Sequence, residues 1–96
     1  MDIKSLLQKA RSIWGDDKLS LEEIIIRQGV AVGDIHRFAR DKADGKNVDE
    51  DELKKELGNI IFSTIRWCDD LGYSPEECIG LAEQAQIKFS QKLKNQ

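Results

Sequence analysis

Apolar residues recur every three or four positions along most of the chain, which is the spacing of one face of an α-helix. Three of the periodic segments begin at a residue whose side chain can cap a helix. Ser20, Asp49 and Ser74 each precede a Glu by three positions, as in a capping box. A shorter amphipathic segment ends at Trp14, directly before Gly15. The pattern predicts helices over residues 2–14, 20–43, 49–71 and 74–93.

The predicted connections are short, so we expect consecutive helices to be antiparallel neighbours. The fold class is therefore all-α, as a four-helix up-and-down bundle, and residues 1–96 form a single domain. A chain of this length buries only a small core, which favours association. In the third helix, Phe62 and Ile65 are expected to face away from the main apolar stripe. This predicts a homodimer, or a higher homo-oligomer, whose interface includes Phe62.

Composition narrows the possible partners. Charged residues make up 34% of the chain, with a net charge of −3 and no basic cluster, which argues against binding to a nucleic-acid polymer. No apolar run approaches the ~20 residues that cross a bilayer, and no secretory signal is recognisable, so we expect a cytoplasmic protein that does not enter membranes. Cys68 and Cys78 lack metal-motif spacing and are expected to be small core residues.

Two predicted helical segments, each with a glycine, contain the candidate functional residues. They read Val30-Ala31-Val32-Gly33-Asp34-Ile35 and Lys55-Glu56-Leu57-Gly58-Asn59-Ile60-Ile61-Phe62, and Leu71-Gly72-Tyr73-Ser74-Pro75-Glu76-Glu77 and Lys88-Phe89 follow. This arrangement resembles the MazG-like all-α nucleoside triphosphate pyrophosphohydrolases, which have Glu-Glu-x-Gly-Glu and Glu-Glu-x-Gly-Asp in the first two segments. The resemblance covers about residues 19–92.

The resemblance implies Mg²⁺-assisted hydrolysis of a nucleoside triphosphate to a monophosphate and pyrophosphate. By position, Asp34, Glu56 and Asn59 match metal ligands, with Glu56 as the catalytic carboxylate. Lys88 matches a basic position that would contact phosphate. Asn59 replaces a carboxylate, and Val30 and Ala31 stand at acidic positions without offering any oxygen. We therefore expect weak Mg²⁺ binding, chiefly as the nucleotide complex, and weak or altered activity.

Other interpretations of the same residues remain open. Asp34 would serve equally in an ion pair with Arg27 or Arg37, and Asn59 in a hydrogen bond within the bundle. Trp14 and Trp67 are core residues or platforms for a nucleobase. The alternative function is a catalytically inactive relative that binds nucleotide or acts as a helical oligomerisation and interaction protein.

Overall fold

The computed structural model describes residues 1–95, which form four α-helices and no strand. The helices are α1 (Ile3–Trp14), α2 (Leu21–Ala43), α3 (Glu50–Asp70) and α4 (Pro75–Lys94). These bounds confirm the all-α class and agree with the predicted helices to within one residue at each end. Among the described residues, no helix has the length and apolar character needed to cross a membrane.

The caps explain why the helices begin where they do. The Ser20 hydroxyl accepts the backbone N–H of Glu23 at 3.2 Å, and the Glu23 carboxylate accepts the Ser20 N–H at 3.1 Å, which completes a capping box. Asp49 and Ser74 each accept the backbone N–H three residues on. Asp2 caps α1 in the same way, and its hydrogen bond from the Ser5 N–H lowers the pKa of the Asp2 carboxyl. All the predicted N-caps are confirmed.

Helix α3 is central, because α1, α2 and α4 each pack against it. The prediction that consecutive helices are neighbours holds for α2 with α3 and for α3 with α4, whereas α1 packs chiefly against α3. Ile65 is buried and Phe62 is half-buried, so the expectation that both face away from the core is wrong for Ile65. The buried apolar residues are Ala10, Ile24, Ala31, Phe38, Ile65, Trp67 and Pro75.

An ionic cluster fastens α1 to the end of α3. Arg11 donates hydrogen bonds from Nη2 to Asp69 and, at 2.7 Å, to Asp70. The Asp70 side chain is 0% exposed. Two carboxylates in the last turn of a helix oppose its dipole, and α3 has no basic residue there, so a cation from another helix offsets their charge. These hydrogen bonds also raise the pKa of Arg11.

Helix α4 contacts the rest of the molecule only near its beginning. Every residue from 81 to 95 is exposed, including Phe89 at 63% and Leu93 at 52%. The radius of gyration is 16.2 Å, whereas a compact domain of 100 residues has about 13 Å. The described residues of one chain therefore leave about three-quarters of α4 without a packing partner.

Candidate functional site

A cleft of about 570 Å³ opens between α1, α2 and α3; we call it the site cleft. Its volume lies within the range of small-molecule sites, roughly 300–1,000 Å³. Its walls combine an apolar surface with a few polar groups, as ligand sites do. The apolar residues are Ile13, Trp14, Ile26, Val30, Ala31, Phe62 and Trp67, and the polar residues are Arg27, Asp34, Asn59, Ser63 and Arg66.

The structure brings together part of the predicted site. Asp34 of α2 and Asn59 of α3 both line the site cleft. Ala31 lies one turn before Asp34, lines the same cleft and is only 8% exposed, so this position is part of the buried apolar surface of α2. Residues three apart share one face of a helix, so Ala31 and Asp34 face the cleft together. The two segments that carry the family resemblance thus meet at one surface.

Two predicted residues lie elsewhere. Glu56 is half-buried on α3, about one turn before Asn59, and is not among the described residues that line the cleft. Lys88 is exposed on the part of α4 that leaves the other helices. The roles assigned to Glu56 and Lys88 therefore remain predictions that rest on the resemblance.

The oxygen donors of the cleft are few for a resident metal ion. They include the carboxylate of Asp34 and the amide oxygen of Asn59, which also accepts a hydrogen bond from the Ser63 hydroxyl at 3.5 Å. Within residues 1–95, no group of three or more His, Cys, Asp or Glu side chains is placed to hold a metal. Mg²⁺ prefers near-octahedral oxygen coordination. This donor set does not complete it, so an ion here would take most of its ligands from water or from another bound molecule.

The cleft also contains two cations, of which Arg66 is held firmly in place. Its Cζ lies 5.3 Å from the centroid of the Trp14 ring, a cation–π distance. Its Nε lies 3.7 Å from Oδ2 of Asp70, and its side chain is only 12% exposed. Trp14 itself is 60% exposed at the mouth of the cleft. Arg27, one turn of α2 before Val30 and Ala31, supplies the second cation.

Sequence reasoning missed Arg66 and the ionic cluster behind it. Two signals were present. Arg66 and Asp70 are four residues apart on one helix, which places them side by side. Asp69 and Asp70 together end a helix where negative charge is unfavourable, and such a pair predicts a cation from elsewhere in the chain. That cation is Arg11.

The alternative ion pair between Asp34 and Arg37 does not occur. The Arg37 Nη2 instead lies 3.9 Å from Oε2 of Glu52 on α3, and its Cζ lies 4.8 Å from the centroid of the Phe38 ring. Among the described residues, Asp34 forms no salt bridge. Its carboxylate is exposed and accessible to a ligand in the cleft.

A second, apolar groove of about 360 Å³ lies between α3 and the beginning of α4. Cys68 and Cys78 line it as free, half-buried thiols, so they lie at the margin of the core and not within it. Burial and the neighbouring Cys78 raise the pKa of the Cys68 thiol to about 11. A thiol with such a pKa is a poor nucleophile at neutral pH, which makes a nucleophilic role for Cys68 unfavourable.

Comparison of the chain with protein-family models, with curated proteins and with solved structures finds no significant match.

Proposed function

We propose that the chain is a MazG-like domain that binds a nucleoside triphosphate in the site cleft and hydrolyses it slowly to the monophosphate and pyrophosphate. One observation carries the proposal: Asp34 and Asn59, which come from the two segments of the family resemblance, line a single cleft of ligand size. A cytoplasmic location, expected from the sequence, would supply this substrate.

Each side of the cleft has a separate role in this proposal. The exposed ring of Trp14 offers a surface on which a nucleobase can stack. Asp34 and Asn59 offer one charged and one neutral oxygen towards the phosphates. Mg²⁺ that arrives with the nucleotide would neutralise phosphate charge and lower the pKa of a bound water. Glu56 is the proposed catalytic carboxylate, and Lys88 the proposed phosphate contact. Slow turnover follows from the small number of carboxylates.

Pyrophosphate release from a panel of nucleoside triphosphates with Mg²⁺ or Mn²⁺ tests the proposal. We expect slow release from at least one nucleotide and its loss in Glu56→Gln. Glu83→Gln on the exposed part of α4 is the matched control and should leave the rate unchanged. Absence of release across the whole panel would refute hydrolysis.

A second candidate function, homo-oligomerisation, is favoured by the exposed face of α4. At 3.6 residues per turn, the face of α4 that meets α3 at Cys78 continues along the helix through Ala82, Ala85, Phe89 and Leu93. Phe89 and Leu93 are more than half exposed. Helical segments this short are marginal in water without packing, so this face requires a partner surface.

We propose that a second copy of the chain covers this face of α4, so that the chain forms a homodimer. Phe62 also belongs to the interface predicted from the sequence. Sedimentation velocity tests the proposal. Phe89→Glu places a charge in the centre of the apolar face and should produce monomers, whereas Gln84→Glu introduces the same charge on the same helix and should leave the dimer intact. A wild-type chain that stays monomeric at all concentrations would exclude the homodimer.

A further inference from the structure

The charge of the site cleft is opposite to the charge that the family resemblance implies. The resemblance places several carboxylates there to hold metal ions. In this chain Val30, Ala31 and Asn59 carry no charge, so among residues 1–95 Asp34 is the only acidic residue that lines the cleft. Arg27 and Arg66 line the same surface. The lining residues therefore carry one net positive charge, although the whole chain has a net charge of −3.

Arg66 is already held in a fixed position for binding. Its guanidinium contacts both the Trp14 ring and the Asp70 carboxylate. Asp70 also pairs with Arg11. The Nε of Arg66 is buried without a hydrogen-bond partner, and none of the side-chain hydrogen bonds of residues 1–95 involves Arg66. Because Nε is buried beside Asp70, the N–H groups on Nη1 and Nη2 are the donors that remain for phosphate oxygens. Because its rotamer is constrained, little further entropy is lost on binding.

Arg27 adds a second, exposed cation to the lining of the cleft. It is exposed on α2, whereas Arg66 comes from α3, so the two guanidinium groups approach the cleft from different helices. Ser63 also lines the α3 wall, where its hydroxyl donates a hydrogen bond to the side-chain oxygen of Asn59. Arginines on two helices suit a ligand with several phosphate groups, because each guanidinium can bind a different phosphate.

We infer that the site cleft binds a polyphosphate anion directly through Arg27 and Arg66, without a divalent metal ion. This inference rests on the proposed function only in taking the cleft as the nucleotide site. The arginines supply the positive charge that metal ions would supply in an acidic site, and charge-assisted hydrogen bonds are the stronger class of such bonds. Metal is then needed for hydrolysis but not for binding.

Isothermal titration calorimetry with sodium tripolyphosphate and with adenosine triphosphate, each in EDTA and in Mg²⁺, tests the inference. We expect both ligands to bind in EDTA. The nucleotide should bind more tightly because Trp14 can stack on its base. Binding should weaken as salt is raised, because exposed charges are screened.

Two variants and one control make the test decisive. Arg27→Gln should weaken tripolyphosphate binding about tenfold or more, because it removes a charge-assisted contact. Asp34→Asn should tighten binding about threefold, since it removes a negative charge from the lining, whereas a metal-bridged ligand would lose affinity on the same change. Arg40→Gln, an exposed arginine of α2 outside the cleft, is the control and should have little effect.

The outcomes separate this inference from the proposed function. Binding that requires Mg²⁺, or that Asp34→Asn weakens, would overturn direct binding by arginine and leave the proposed hydrolase standing. Failure of both ligands to bind in both conditions would overturn both proposals. Binding in EDTA without pyrophosphate release under any condition would uphold the inference and remove the hydrolysis.

Discussion

Arg11 of α1 donates a hydrogen bond to Oδ1 of Asp70 at 2.7 Å, although the two residues are 59 positions apart in the sequence. The contact joins the first helix to the end of the third. Asp70 is fully shielded from solvent at its side chain, and the Arg11 side chain is 17% exposed. Both side chains of the pair are therefore largely removed from water. Removing one partner of a buried ion pair strongly destabilises the fold, because the other charge stays buried without compensation.

Asp70→Asn should lower the free energy of unfolding by about 3 kcal/mol. The substitution leaves the largely buried charge of Arg11 with only Asp69 to neutralise it. The neighbouring Asp69→Asn is the matched control. The Asp69 side chain is 34% exposed, so its loss should cost about 1 kcal/mol or less. Urea denaturation measures both values. Equal effects of the two substitutions would show that burial does not set the strength of the cluster.

Restoring the missing carboxylates should create a metal site. The double variant Ala31→Glu with Asn59→Asp would add two carboxylates near Asp34. We expect Mg²⁺-dependent pyrophosphate release to rise at least about tenfold. Without metal the variant should be less stable, because position 31 is only 8% exposed. The melting temperature with and without Mg²⁺ measures how far metal binding offsets this loss of stability.

Ala39→Glu on the exposed surface of α2 is the control for the added charge. It should change neither the metal response nor the rate. If the double variant gains no thermal stabilisation from Mg²⁺, then the two segments are not arranged around a metal position, and the geometry implied by the resemblance is wrong for this chain.

The raised pKa of Cys68 predicts a pH dependence of stability. The folded thiol ionises near pH 11, whereas an unfolded thiol ionises near pH 8.5. The unfolded chain therefore releases the proton first, and the contribution of Cys68 is fully present below about pH 8.5 and is lost as the pH rises towards 11. Between about pH 8.5 and 11, the melting temperature of Cys68→Ser should therefore fall less than that of the wild-type chain.

Alkylation followed by mass spectrometry gives an independent measurement of the same pKa. At pH 8, Cys68 should react with iodoacetamide on the order of 100 times more slowly than an unfolded cysteine, because its thiolate fraction is so small. The same protein in urea is the control. A folded Cys68 that reacts as fast as the unfolded chain would contradict the burial of this thiol.

Two glycines should respond to alanine in opposite directions. Gly72, in the turn between α3 and α4, has a φ of +80°, which an L-residue adopts only with strain, so Gly72→Ala should cost about 1 kcal/mol. Gly58 lies within α3, and a Cβ built there meets nothing within 4 Å. Gly58→Ala should therefore stabilise the chain by about 1 kcal/mol. Urea denaturation at low protein concentration distinguishes the two. A destabilising Gly58→Ala would indicate that another molecule covers this part of α3.

The helices and their caps were predictable from the sequence because the responsible interactions are local. Ser20 and Glu23 are three residues apart, and their reciprocal hydrogen bonds depend on nothing else in the chain. The docking of α1 on α3 was not predictable in this way, because it depends on Arg11 and Asp70, which meet only after folding. Helical periodicity shows which residues share a face, but it does not identify the helix that covers that face.

The same distinction holds for the candidate site. The resemblance placed Asp34 and Asn59 on facing segments, and both line the cleft. It also grouped Glu56 with them, since Glu56 and Asn59 are three positions apart on one helix. The part of α3 that meets α2 and α1 is nevertheless set by packing, and the cleft extends towards Ser63 and Arg66 instead. Arg27 lies on the same helix as Asp34, and the sequence already suggested that the two are near each other. Arg66 comes from α3, so only the tertiary structure identifies it as a neighbour of Asp34.

The isolation of α4 has a consequence for amide hydrogen exchange. Between residues 81 and 95 no side chain is buried, so only the hydrogen bonds of the helix itself protect those amides, and local opening there should cost far less than global unfolding. A partner that covered Phe89 would slow the exchange of this segment and leave α1 unaffected. Exchange rates along α4, followed against protein concentration, would therefore report the fraction of chains that have associated.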